Sequence, residues 1–109
     1  MTLENNNILQ GTLDVLILRA LTDRSMHGYA ISRWVHARTT GTLTIDDAPL
    51  YKALRRLEHA ECLTAEWGMS ESNRRARYYR LTAAGRKRLR AEESAWHRYA
   101  AAVSQVLEP

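Results

Sequence analysis

Phenylalanine is missing from the 109 residues, and cysteine appears once, as Cys62. Tryptophan and tyrosine supply every aromatic ring, and no disulfide can form within the chain, which fits a reducing compartment. No run approaches the roughly 20 apolar residues that a membrane span needs. The N-terminal MTLENNNILQ lacks the basic-then-apolar order of a secretory leader. These absences lead us to expect a cytoplasmic protein with no membrane role. Glycine-rich phosphate loops, a serine elbow and convergent carboxylate pairs are also lacking, so no enzyme activity is expected. Repeats, low-complexity tracts and linkers are absent too, and the length suits a single modest core.

The most informative absence is local. Between Arg74 and Arg90 there is no acidic residue, while eight basic ones (Arg74, Arg75, Arg77, Arg80, Arg86, Lys87, Arg88 and Arg90) occupy seventeen positions, half of the chain's 16 Lys and Arg. A net charge of +4 is unremarkable in itself; its clustering is what carries information. Such a surface suits a polyanion, and nucleic acid is the commonest one. A merely solvated charged face is the alternative on charge alone.

Periodicity places the elements. Leu9 to Leu21 carries Leu13, Leu16, Ile17, Ala20 and Leu21 at helical spacing, with Thr12 as a candidate cap. Ser25 is the candidate cap of a second helix whose apolar face is Tyr29, Ile31, Val35 and Ala30 or Trp34. Thr39 to Thr44, with Gly41 and several β-branched residues, reads as a loop and a very short strand. Asp46 and Asp47 before Ala48-Pro49 form a helix start, a carboxylate followed by proline in the first turn. The third helix, about Ala48 to Ala60, puts Leu50, Ala53, Leu54 and Leu57 on one stripe and Lys52, Arg55, Arg56 and His59 on the other. Leu63 to Met69 and Ala76 to Leu81 read as strands of a hairpin with a basic tip, and Thr82 caps a last helix of about 25 residues.

The expected class is α+β, mostly α: a winged helix-turn-helix followed by a dimerisation helix. Two helices brace a third so that its exposed face can enter a major groove, while a hairpin wing reaches adjacent backbone. Residues 1–82 are the expected DNA-binding domain, and 83–109 the C-terminal helix packed on the same domain. In that helix Leu89, Trp96 and Val103 recur every seven residues, with Tyr99 and Val106 three beyond members of the first set. A small domain cannot bury so long a stripe alone, so these five are the expected interface with a second copy. Trp96 is in addition a candidate wall for a flat ligand at that interface.

GTLDVLILRAL, MHGYAI, PLYKALRRLEHAECLTAEW and NRRARYYRLTAAGRKRL, in that order, resemble the PadR family of bacterial transcriptional regulators. The resemblance runs from about Gly11 to the end of the last helix and implies a homodimeric repressor on a palindromic operator in double-stranded DNA. It also implies Tyr51, Lys52 and Arg55 near DNA on the recognition helix, and Asn73, Arg74, Arg75 and Arg77 in the wing. Arg56 joins the DNA set on helical spacing alone. The family pattern of Gly-Ser before Leu-Tyr, with Pro after, is replaced here by Ala48-Pro49 and by Lys52. A hydroxyl at the helix start is thereby lost and a cation gained.

Alternatives remain for several of these residues. Arg55, Arg56 and Lys52 can pair instead with Glu58, Glu61 or Asp47, and Tyr51 can be rim packing. A small aromatic effector would release the repressor by moving the two recognition helices apart. The competing classes are a protein-interaction module with a basic face, and a metal sensor built on His59 and Cys62 with His36 or Glu58. The latter spacing lacks an HxxxH or CxxC pair, so no metal or cofactor is expected.

Overall fold

The computed structural model describes residues 11–109, and the element order is α1 (Thr12–Ala20), β1 (Met26–His27), α2 (Gly28–Arg38), α3 (Asp47–His59), β2 (Leu63–Met69), β3 (Arg75–Leu81) and α4 (Ala83–Leu107). The expected class holds: four helices and a small antiparallel sheet of order β1-β3-β2. Five placements differ from expectation. Helix α1 begins at Thr12 with Gly11 as N-cap in the left-handed region (φ 91°); Leu9 and Gln10 lie outside the described residues. The N-cap of α2 is His27 rather than Ser25, its Nδ1 accepting from the Ala30 N–H at 3.1 Å. Tyr29 stands in solvent at 62% exposure, so α2 packs through Gly28, Ile31 and Val35.

The short strand is also elsewhere. Residues 39–44 carry left-handed Thr40 and Gly41 and no strand, because the free edge of β3 is already taken by Met26–His27, in register with Tyr79 and Tyr78. A strand is made by its partner. Two residues leave no periodic trace for a sequence to show.

The core sits where α1, α2, α3, the inner end of the hairpin and the start of α4 meet. Leu50, Ala53, Leu54 and Leu57 of α3 are fully buried, as are Ile17 and Leu18 of α1 and Ile31 of α2. At about 1.5 Å per residue the 25 residues of α4 span roughly 37 Å. The first third of α4 packs on α1, and beyond Glu93 every residue except Ala100 is exposed. Leu89 belongs to that first third: at 4% exposure it lies in the core of its own chain, which corrects its expected place on an interface with a second copy. Trp96, Tyr99, Val103 and Val106 remain as an uncovered apolar stripe.

The α4 start is anchored tightly to the α3–β2 turn. Thr82 Oγ1 accepts from the Gly85 N–H at 3.0 Å and donates to the Glu61 carbonyl at 2.7 Å, while the Thr82 N–H donates to the Cys62 carbonyl at 3.0 Å. Gly85 approaches so closely that a Cβ there would lie 2.2 Å from the Cys62 carbonyl oxygen. No helix among the described residues is long and apolar enough to cross a membrane.

Candidate nucleic-acid interface

Helix α3 has one buried face and one bare one. Opposite the leucine stripe, Tyr51, Lys52 and Arg55 are exposed along about four residues of helix surface. Tyr51 is held there by glycine: its ring lies over the start of α2, and a Cβ at Gly28 would be 2.7 Å from Tyr51 Cε1. A side chain at this position would have to displace the ring. Both edges of the Tyr51 alternative are visible, a ring half packed and a residue 39% exposed.

Arg56 takes a different course. Its guanidinium donates twice to Asp14 of α1, Nη1 to Oδ2 at 2.7 Å and Nη2 to Oδ1 at 3.1 Å, turning it toward the body of the protein. Asp14 is the one buried charged residue in the described core, and it also accepts from Arg88 Nη2 of α4 at 3.2 Å. Arg88 in turn donates Nε to Glu92 at 2.6 Å. A buried carboxylate is costly without donors, and two arginines satisfy this one. The hydrogen bond to Asp14 holds the Arg56 guanidinium above its ordinary range, and the one to Glu92 does the same for Arg88. Among the described residues no ion pair joins Lys52, Arg55 or Arg56 to Glu58, Glu61 or Asp47, the acids expected as their alternatives; Glu58 pairs with Arg77, and the acid that binds Arg56 lies 42 positions away.

The hairpin sorts the wing residues. Asn73 has φ 62° and donates its N–H to the Ser70 carbonyl at 2.9 Å, so it shapes the turn, a conformation that asparagine tolerates better than most residues. Ser70 closes the turn from the other side, its N–H donating to the Arg74 carbonyl at 2.8 Å. Arg77 stands opposite Trp67 on the sheet face turned to α3 and binds Glu58 Oε2 at 2.8 Å, tying the hairpin to α3. Arg74 and Arg75 are left exposed at the tip without an acidic partner among the described residues. In the last part of the basic run, Arg86 reaches the Thr22 carbonyl at 3.4 Å and Arg88 its two acids, while Lys87 and Arg90 face solvent. Protein partners thus offset the unfavourable charge at the start of α4.

Of the eight sequence-predicted DNA residues, Lys52, Arg55, Arg74 and Arg75 are therefore exposed, Tyr51 is half packed on Gly28, Asn73 makes the turn, and Arg56 and Arg77 brace the frame. Sequence reasoning missed Asp14 and Gly28. The signal for Asp14 was a carboxylate three and four residues before Ile17 and Leu18 inside an apolar run; for Gly28 there was none beyond its type. Cys62 is buried, with Arg88 Nη1 at 3.8 Å from its Sγ, and among the described residues no three His, Cys, Asp or Glu side chains stand together as metal ligands.

Comparison with known proteins bears on the family and the fold. The family model of the transcriptional regulator PadR-like family matches residues 17–91. An uncharacterised protein of Lysinibacillus sphaericus is 35% identical over 81 residues, 74% of each chain. Among solved structures, a transcriptional regulator from Clostridium thermocellum superposes with a TM-score of 0.84 at 27% identity, covering 93% of this chain and 98% of that one. A PadR family transcriptional regulator from Eggerthella lenta gives a TM-score of 0.75 at 33% identity, with 91% and 84% covered. A helix with one bare cationic face, a braced wing and a match over two thirds of the sequence lead to one conclusion: the chain belongs to the PadR-like family of transcriptional regulators.

Proposed function

We propose that the protein is a homodimeric repressor that lays one α3 from each copy into successive major grooves of a palindromic operator. The observation that carries this reading is the division of α3, with Leu50, Ala53, Leu54 and Leu57 wholly buried while Lys52 and Arg55 are exposed and Tyr51 is half packed beside them. Arg55 is the base reader, since its planar fork matches guanine O6 and N7; Lys52 supplies a point charge, and Tyr51 donates to a phosphate. The two half-sites are spaced by about one helical turn, roughly 10 base pairs.

The second copy docks on the free part of α4. Trp96 and Tyr99, with ring centroids 6.2 Å apart, and Val103 and Val106 form a continuous apolar strip that water otherwise covers. In the dimer, Trp96 lines a slot for a flat aromatic effector, and its occupation spreads the recognition helices and releases the operator. The repressor works in the cytoplasm. Selection of bound duplexes from a random library tests the reading: a palindrome with half-sites one turn apart supports it, and recovery of no consensus overturns it.

A further inference from the structure

Two anchors decide how α4 leaves the domain. The first is the Thr82–Gly85 clamp on the α3–β2 turn, a contact at one end of the rod about which the rod can still swing. The second lies about one turn further on, where Arg88 meets Asp14. All three nitrogens of its guanidinium are engaged: Nη2 donates to Asp14 Oδ2 at 3.2 Å, Nε donates to Glu92 Oε2 at 2.6 Å, and Nη1 lies 3.8 Å from Cys62 Sγ. Asp14 is held as firmly from the other side, by the two-pronged grip of Arg56 of α3 at 2.7 and 3.1 Å. Burial of Leu89 resists separation of α4 from the core but is indifferent to direction, whereas forked arginine–carboxylate pairs fix an angle. One carboxylate of α1 thus references the direction of α4 to that of α3.

We propose that Asp14 is a positioning residue for operator recognition: through Arg56 and Arg88 it sets the angle between α3 and α4, and so the half-site spacing that the homodimer accepts, without itself touching DNA. The proposal rests on the dimeric DNA-binding reading above and deepens it. Leverage carries it. From Arg88 to Val103, in the strip on which the second copy docks, α4 runs about 22 Å, so a tilt of about 5° at Arg88 displaces the strip by about 2 Å. Both copies contribute that error across the two-fold, which brings the misplacement of the two α3 helices near the roughly 3.4 Å that one base pair occupies. One inserted base pair also turns a half-site by about 34°. A dimer with loose joints would tolerate neighbouring spacings, and one braced by this network rejects them. Charge agrees with bracing: Arg56 and Arg88 are balanced by Asp14 and Glu92, so the cluster has no surplus with which to grip phosphate.

The test uses the full chain and operator duplexes whose half-sites are kept while the distance between them is changed by one or two base pairs, together with a duplex carrying a single half-site, all titrated by fluorescence anisotropy. Wild-type protein is expected to lose about tenfold or more in affinity per base pair of error. Asp14→Asn should flatten that dependence to about twofold or less, with affinity for the single half-site within about twofold of wild type, since no DNA contact is removed. Arg88→Lys keeps the charge and loses the fork, so it should flatten the dependence with an unchanged salt slope. A purely structural role would lower the fraction of active protein for every duplex alike and leave the ratios between spacings at wild-type values. That result for Asp14→Asn overturns the proposal, as does a wild type indifferent to spacing. If such a wild type still prefers operator to scrambled duplex, the DNA-binding reading survives alone; if it does not, both fall. Should Asp14→Asn fail to fold, Arg88→Lys decides by the same ratios.

Discussion

The residue with the widest reach is Asp14, whose carboxylate receives Arg56 from α3 and Arg88 from α4. Asp14→Asn keeps the shape and removes the charge, leaving two arginines facing each other. We expect a loss of about 2 kcal/mol in chemical denaturation, less than the roughly 3–5 kcal/mol of a fully buried pair because the Arg56 side chain is 56% exposed. An unchanged denaturation midpoint would show that the pairs are ornamental. Gly28 is the second such residue. Gly28→Ala must displace the Tyr51 ring, so operator affinity should fall, and combining it with Tyr51→Ala should cost clearly less than the sum of the single changes. Strict additivity in anisotropy titrations would mean that the two positions do not communicate. Tyr79 gives a pH signature: burial pushes its phenol above the ordinary value near 10. Its neutral form is favoured in the fold, so this contribution is complete below pH 10 and is lost as pH rises through the higher folded value. Tyr79→Phe should lose less stability than wild type between neutral and strongly alkaline pH in thermal melts; parallel curves would contradict that assignment.

At the scale of elements, the junction between the wing domain and α4 is rigid by construction. Gly85→Ala places a methyl group against a backbone carbonyl that has no room to yield, and we expect about 3 kcal/mol of destabilisation by thermal melting, where a solvent-facing Gly→Ala in a helix would instead stabilise. Much of this level was legible in the sequence. The leucine stripe of the third helix, the hairpin and the Thr82 cap all matched their expected bounds within a residue or so, because each rests on local periodicity or capping chemistry. What was not legible depends on distant partners. The two-residue strand exists only because β3 offers an edge, His27 caps α2 with a ring nitrogen where a serine hydroxyl two residues earlier was expected, and Leu89 turned inward because α1 lies under the first third of α4. In the candidate site the same division holds. Exposure of Lys52 and Arg55 followed from helical spacing, whereas the diversion of Arg56 to Asp14 and of Arg77 to Glu58 needed tertiary structure.

On the scale of the whole molecule, the principal extents are 52 × 29 × 22 Å, and the outer part of α4 carries Trp96, Tyr99, Val103 and Val106 in the open. Replacing Trp96 and Tyr99 together by alanine should convert a dimer at micromolar concentration into monomer in sedimentation velocity, with the wing domain still folded. A wild-type protein that sediments as a monomer would remove the dimer from the account. The most direct test of the central claim is titration of the wild-type protein against duplexes from its own promoter and scrambled duplexes of equal length, at several salt concentrations. The account predicts saturable binding of two chains per operator, preferred over scrambled DNA by about a thousandfold or more. Equal, weak binding to every duplex would contradict it.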